Sequence, residues 1–473
     1  MHVKNTSEIL IKGLSKVQLM LRRIGLQAIL KALSAVRPEH LMEKAIKILD
    51  NKLFIENDQY DLQKFEKIYI IGGGKATAEM ALTLERILLN VKDIDYTGII
   101  NVPENLDKKE IFKKSKISVN FSSHPIPNEN GLKGTLSMME IVESSTKNDL
   151  IVCLISGGGS ALLSLPKKGI KLKDLQDVNS LLLSSGASIH EINTIRKHLS
   201  DFKGGNLAKK VYNSSGATLI SLIISDVVGD ALDSIASGPT AADKTTLKEA
   251  YSIIEKYKLI GKIPISIKSH LEKGLSDNSL ENPKPNDPCF ANVHNYLIGS
   301  VRSAVQEVIS FLTKEGFEAE YFSNNIIGEA KEFAIPLYGF ISKYVQEYLY
   351  QNKLTKIALI GTGELTVTIR GSGIGGRNQE MLLSFLNFVK DKKLNYDFLI
   401  IAVNLDGIEG NSKAMGALID NYALNKMISK NISPEKFLAN NDSNSFFKKL
   451  RTEIITGPTG CNANDLILIL ISI

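Results

Sequence analysis

The chain has little of what several large protein classes depend on. Only three cysteines occur in 473 residues, Cys153, Cys289 and Cys461, odd in number and far apart. That spacing excludes a disulfide framework and reads as reduced, intracellular thiols. No His-x-x-x-His and no cysteine pair has metal-ligand spacing, so a zinc enzyme is not expected. Lysine and arginine number 57 against 51 aspartates and glutamates, a surplus of 6. A nucleic-acid or membrane surface would need concentrated basic patches instead, and neither partner is expected. No apolar run is long enough to span a bilayer. The first residues, MHVKNTSEILIKGL, lack the continuous apolar core and cleavage site of a secretion signal, and a cytoplasmic protein is expected.

What is present is an ordinary globular composition, 43% hydrophobic and 23% charged. The length exceeds one usual core and points to two domains. The proline-containing stretch Lys273 to Asn292 sets the expected division, residues 1–280 and residues 290–473. In the first part, buried-strand patterns at Lys67 to Ile71, Asp149 to Ile155 and Ala217 to Ile224 alternate with helical segments. Strands without polar alternation, separated by helices, imply a parallel sheet covered on both faces. Beyond the break, strands are expected near Tyr296 to Gly299, Ala319 to Phe322, Lys356 to Ile360, Leu365 to Ile369, Phe398 to Val403 and Leu466 to Ile471, with a long helix from Gly328 to Leu349.

Glycine and charge cluster where strands end, the ligand edge of such a sheet. Gly72-Gly73-Gly74-Lys75 follows the first strand, so a mobile cation sits at the turn. Ser156-Gly157-Gly158-Gly159-Ser160 follows the second and offers successive amides and two hydroxyls to an anion. Asp226 and Asp230 follow the third and are candidates to hold Mg²⁺ against phosphates. Between the second and third strands, Arg196, Lys197, His198 and Lys203-Gly204-Gly205 form a basic cluster that reads as an anion clamp; His124 is a further side chain that could touch substrate.

In the second part, Gly361 to Glu380 reads GTGELTVTIRGSGIGGRNQE: the carboxylate Glu364, a glycine loop from Gly371 to Gly376, and Arg377 at the start of a helix whose free amides would help it hold phosphate oxygens. Gly371, Gly373 and Gly376 match G-x-G-x-x-G, but of the acids that could complete a dinucleotide fingerprint Asp397 precedes the next strand instead of ending it and Asp406 comes later than expected. The P-loop pattern fails too, with Ala76 and Tyr69 at its required positions.

Taken in order, IGGGKA at Ile71 to Ala76, SHPIPNENG at Ser123 to Gly131, LISGGGSALL at Leu154 to Leu163, INTIRKHLSDFKGGNLA at Ile192 to Ala208, SDVVGDALDSIASGPTAAD at Ser225 to Asp243, GGRNQE at Gly375 to Glu380, DGIEGNSKAMGALID at Asp406 to Asp420 and TGPTGCNANDL at Thr456 to Leu466 resemble the glycerate 2-kinases with a C-terminal MOFRL domain. The resemblance implies a larger Rossmann-like α/β/α N-terminal domain with a parallel sheet, a smaller α/β MOFRL domain, and an active site in the cleft between them. It implies ATP-dependent phosphorylation of the 2-hydroxyl of D-glycerate with Mg²⁺, and Lys75 and Arg377 as the catalytic pair. Gly73, Gly74, Ser156, Gly157, Gly158, Gly159, Ser160, Glu364, Gly375 and Gly376 would then hold the nucleotide, Arg196 and Lys197 the substrate carboxylate, and Asp226 and Asp230 the metal. Partners would be D-glycerate and a nucleotide, with a homodimer left open. The alternatives are an NAD(P)H-dependent hydroxypyruvate reductase, a name some members of the family carry, and a non-catalytic sensor of phosphorylated acids.

Overall fold

A computed structural model describes residues 2–91, 94–104, 111–350, 356–461 and 463–473. The chain divides into two units, one of residues 41–299, the other of residues 1–40 together with 300–473.

The first unit is built on six parallel strands: β1 (Ile68–Gly73), β2 (Tyr96–Pro103), β3 (Ile117–Ser122), β4 (Leu150–Ile155), β5 (Thr218–Ile224) and β6 (Val293–Gly299). Their order across the sheet is β3-β2-β1-β4-β5-β6. That is the doubly wound dinucleotide-fold order, in which the direction of winding reverses between β1 and β4. All six residues of β4 are buried, as its unbroken LIVCLI pattern requires of a central strand covered on both sides. Helices Thr77–Leu88 and Glu129–Ser144 contribute to that cover. A further layer of helices, including α1 (Ile189–His198), has its own core around Leu182, Ile195 and Leu247.

The second unit carries β7 (Glu318–Glu329), β8 (Lys356–Thr366), β9 (Asp397–Asn404), β10 (Gly416–Asp420), β11 (Glu453–Ile454) and β12 (Asp465–Ser472), in the order β7-β8-β12-β9-β10-β11. The β7–β8 pair is parallel and every other pair antiparallel.

Three sequence expectations change. The boundary does not fall in the proline-containing stretch, because that stretch is anchored: Asp243 N–H donates to Pro283 O at 3.0 Å and Asn282 Nδ2 donates to Asp243 Oδ2 at 2.9 Å. The chain then completes the first sheet with β6 before it crosses over, so the strand near Tyr296 belongs to the first unit. Residues 1–40 pack with the C-terminal unit rather than with 41–280. Gly25 lets the helix Lys16–Ala35 lie directly on β9, where a Cβ would meet Leu399 at 2.6 Å, and buried Arg22 clasps Asp420 through Nε at 2.8 Å and Nη2 at 3.0 Å. Removing one partner of such a buried pair costs about 3–5 kcal/mol. Finally, the expected strand pair at 356–369 is one continuous strand. Gly361 and Gly363 stay in register with β12, and their missing side chains admit Phe322 and Ile326 of β7, so they do not mark a turn. No helix among the described residues is long and apolar enough to cross a membrane.

Candidate active site

In a sheet of this order, ligands sit beyond the carboxyl ends of the strands at the reversal point, here the turns after β1 and β4. The two turns are zipped together. Lys75 N–H donates to Gly157 O at 2.9 Å, Ala76 N–H to Ser156 Oγ at 3.0 Å, and Gly74 N–H to Asn101 O at 3.2 Å. Gly72 and Gly74 have φ of 143° and 153°, and a Cβ on them would lie 2.0 Å from Leu154 O and 2.1 Å from Ser156 Oγ. Gly73 is closed in by Leu163 at 2.8 Å. The triplet therefore serves close approach of two neighbouring strand ends. This corrects the expectation that Gly74 offers its amide to a ligand. Ser156, fully buried, is likewise a structural clamp, and the Gly159 amide is spent on Ser156 O. By contrast, no backbone carbonyl among the described residues accepts from the amides of Gly157 or Gly158, and the Ser160 hydroxyl sits at the surface of a cavity while sharing a hydrogen bond of 2.9 Å with Ser237.

That cavity, about 200 Å³, is bounded by His124, Gly158, Ser160, Asn179, Arg196 and Lys203, with an apolar wall of Leu175, Val178 and Leu199. The Arg196 guanidinium donates through Nε to Asn179 Oδ1 at 2.9 Å, and Lys203 Nζ donates to Leu163 O at 2.7 Å. Burial lowers the pKa of both, and with Arg196 beside it Lys203 comes down to about 7. Lys197, named with Arg196 from the sequence, points elsewhere. It is 4% exposed and its Nζ is 2.6 Å from Asp243 Oδ1, inside a buried network with His198, Asn282 and Glu281. One helical position along α1 turns a side chain by roughly 100°, which is why adjacent cations part company. Lys203 went unassigned as a ligand residue although its Lys-Gly-Gly motif stood in the basic cluster. His124, at the exposed rim, and the Lys75 side chain both flank Gly158: a Cβ there would meet His124 Cδ2 at 3.1 Å and Lys75 Cγ at 3.2 Å. Desolvation, then the charge of Lys75, lowers the pKa of His124 and favours its neutral form.

Asp226 and Asp230 lie half-buried in the loop after β5, Asp230 with φ of 58°. No group of three or more potential metal ligands occurs among the described residues. Two carboxylates at a strand end do suit an ion that takes most of its ligands from water and phosphate.

In the other unit, Arg377 opens helix α2 (Arg377–Val389). Its guanidinium is held by Asp465 of β12 through Nε at 2.5 Å and Nη2 at 2.9 Å, and by Glu364 near the end of β8 through Nη1 at 2.6 Å. These three bonds leave two of the five guanidinium N–H donors. The two carboxylates hold the Arg377 pKa above its ordinary value against the effect of burial. Burial raises Asp465 to about 6 despite that pairing. The helix amides expected to be free are not: Glu409 accepts from Asn378 N–H at 2.9 Å and Gln379 N–H at 3.0 Å. The glycine loop is filled in the same way, with Gly375 N–H on Asn411 Oδ1 at 2.8 Å, Ile374 N–H on Asp442 Oδ1 at 3.0 Å and Gly371 N–H on Asn441 Oδ1 at 3.0 Å. A Cβ on Gly376 would meet Glu409 at 2.6 Å. Gly375 and Gly376 are thus packing residues, and residues 367–376 form a pinned loop where a strand to Ile369 was expected. Asp465 and Glu409 carry this arrangement; the sequence hinted at Glu409 as a strand-end acid and gave no signal for Asp465.

Residues 25–272 match the family described as a domain of unknown function, DUF4147, and residues 357–465 match the MOFRL family. The glycerate 2-kinase of Pyrococcus horikoshii is 38% identical over 455 residues, 96% of this chain and 98% of that protein. A protein of Agrobacterium vitis with a provisional name as a hydroxypyruvate reductase is 34% identical over 433 residues, 91% of this chain and 93% of that one. The crystal structure of glycerate kinase from Thermotoga maritima matches with a TM-score of 0.78 at 32% identity, covering 96% of this chain and 99% of that chain. With a Rossmann-order sheet, a MOFRL region later in the chain and likeness sustained over nearly the full length of each relative, the chain belongs to the glycerate kinase family.

Proposed function

We propose that this protein is an ATP-dependent glycerate 2-kinase that makes 2-phosphoglycerate and ADP from D-glycerate. The observation that carries the reading is a small cationic cavity beside Lys75 at the reversal point of the sheet, in a chain of this family. The 2-hydroxyl oxygen bonds to the γ-phosphorus as the bond from phosphorus to the bridging oxygen breaks. ADP leaves with that electron pair, and the hydroxyl proton is released. Such a transfer has a loose transition state, so catalysis rests on positioning and charge neutralisation. Lys75 and Arg377 are the proposed catalytic cations, one from each unit, each neutralising charge on the migrating phosphoryl group. The amides of Gly157 and Gly158 and the Ser160 hydroxyl would bind the polyphosphate, Glu364 and Asp465 would aim Arg377, and Arg196 would face the substrate carboxylate. Mg²⁺, which would neutralise phosphate charge, would be held by Asp226 and Asp230.

The reductase alternative loses its structural basis, because the G-x-G-x-x-G loop that would take a pyrophosphate has its amides bonded to Asn411, Asn441 and Asp442. A coupled assay for ADP with D-glycerate, tartronate and hydroxypyruvate tests the proposal. ADP release that depends on D-glycerate is the expected result. NADH oxidation without ATP, or ligand binding without ADP, would replace it with the reductase or the sensor.

A further inference from the structure

The cavity has a polarity that the overall reaction does not require. Its two cations differ in depth: Lys203 is 4% exposed, whereas Arg196 is partly exposed and splinted by Asn179. None of the described residues that line it is acidic. Two unneutralised cations facing one small space repel each other and are costly to bury, unless an anion completes the set. The opposite side is different in kind. Gly158 carries the rim, and there the imidazole of His124 and the stem of Lys75 converge. About 200 Å³ is well under the roughly 300–1,000 Å³ of sites for drug-sized ligands. The room suits an acid of a few carbons and excludes a nucleotide.

We infer that this cavity seats the acceptor acid carboxylate-first, with Lys203 and Arg196 as a paired carboxylate receptor on its floor and the 2-hydroxyl presented at the rim beside Lys75. The inference rests on the kinase reading and deepens it by assigning a residue, Lys203, and an orientation. It also sets a substrate class. A short 2-hydroxy monocarboxylate satisfies both the cations and the apolar wall of Leu175, Val178 and Leu199, whereas a neutral triol such as glycerol leaves both cations uncompensated. Burial, and after it the charge of Arg196, gives Lys203 a reason to hold its proton only weakly until the carboxylate arrives.

The test uses the full chain with Lys203→Met and Arg196→Gln. Each substitution is expected to raise the KM for D-glycerate on the order of 10- to 100-fold, the scale of a lost charged hydrogen bond, with the KM for ATP shifting far less. A purely structural role would lower the melting temperature and leave the KM for D-glycerate in place, and that result in either folded variant overturns the inference. Should Lys203→Met fail to fold, Arg196→Gln and a titration of the unmodified, nucleotide-free chain still decide. D-glycerate is expected to raise its melting temperature and glycerol at equal concentration is not; equal effects overturn the inference. Failure of the kinase reading looks different: D-glycerate then binds in an Arg196-dependent way without any ADP being formed.

Discussion

The two glycine-rich loops that look alike in sequence behave in opposite ways. The turn at residues 156–160 gives the Ser156 amide to the neighbouring strand end but leaves Gly158 lining a cationic cavity. The loop at residues 371–376 has its amides bound by Asn440, Asn441, Asp442 and Asn411, and the helix behind it is capped by Glu409. The cavity of the first unit thus presents Arg196 and Lys203 with no carboxylate among its described lining residues, while the other unit presents a cation gripped by two carboxylates. In the second case the protein has supplied its own anions, so the working group is the aimed guanidinium and not the loop.

The comparison breaks most sharply at the catalytic cations. Arg377→Ala and Lys75→Ala are each expected to cut kcat by about 100- to 1,000-fold, the range for a lost transition-state charge contact, without unfolding the chain. Turnover that survives either change in steady-state kinetics removes that residue from the proposed pair. Asp465→Asn should come next, lowering kcat by roughly tenfold or more as the guanidinium loses its bidentate grip. An unchanged kcat would show that Glu364 suffices to aim Arg377.

Glycine substitutions sharpen the contrast. Alanine at Gly373 would put a Cβ 2.4 Å from Asp442 Cβ, and overpacking of about 1–3 kcal/mol is expected in the denaturant midpoint. Alanine at Gly158, where φ is 81° and the nearest atom is His124 Cδ2 at 3.1 Å, carries only the left-handed backbone strain of about 1–2 kcal/mol and should in addition lower kcat/KM for ATP. The reverse pattern would exchange the roles assigned to the loops.

The smallest effect is in pH. With Lys203 brought down to about 7 by burial and by Arg196, kcat/KM for D-glycerate should fall as pH rises through about 7, since only the protonated amine receives a carboxylate. Arg196 stays charged across that range and His124, with its lowered pKa, titrates below it. The same limb should be missing in Lys203→Met. In the other unit, burial raises Glu409 to about 7, above the unfolded carboxylate value of about 4.3. Its contribution to stability is full below that unfolded value and is lost as pH rises through about 7, so the denaturant midpoint should decline over that window in the wild type and less in Glu409→Gln.

Much of this was legible in the residues. Unbroken apolar runs such as LIVCLI could only be central strands, and the chemistry-bearing residues followed their ends, so the parallel sheet and the position of Lys75 were readable. The glycine triplet was seen but its use was not, because a sequence does not say whether a missing Cβ makes room for a ligand or for Leu154 O. Arg196 and Lys197 could not be told apart either, since side-chain direction around a helix depends on which face the neighbouring helices cover.

The sequence by itself determined the sheet, the ligand edge and the family, because local periodicity and strand-end residues are properties of short segments. Tertiary structure alone decided that residues 1–40 join the C-terminal unit through Arg22 and Asp420, that Glu409 and Asp465 take up the anion-binding capacity around Arg377, and that Lys203 rather than Lys197 faces the cavity. Each of these depends on groups that the chain separates by tens to hundreds of residues, and only burial against a common core brings such groups within hydrogen-bonding reach.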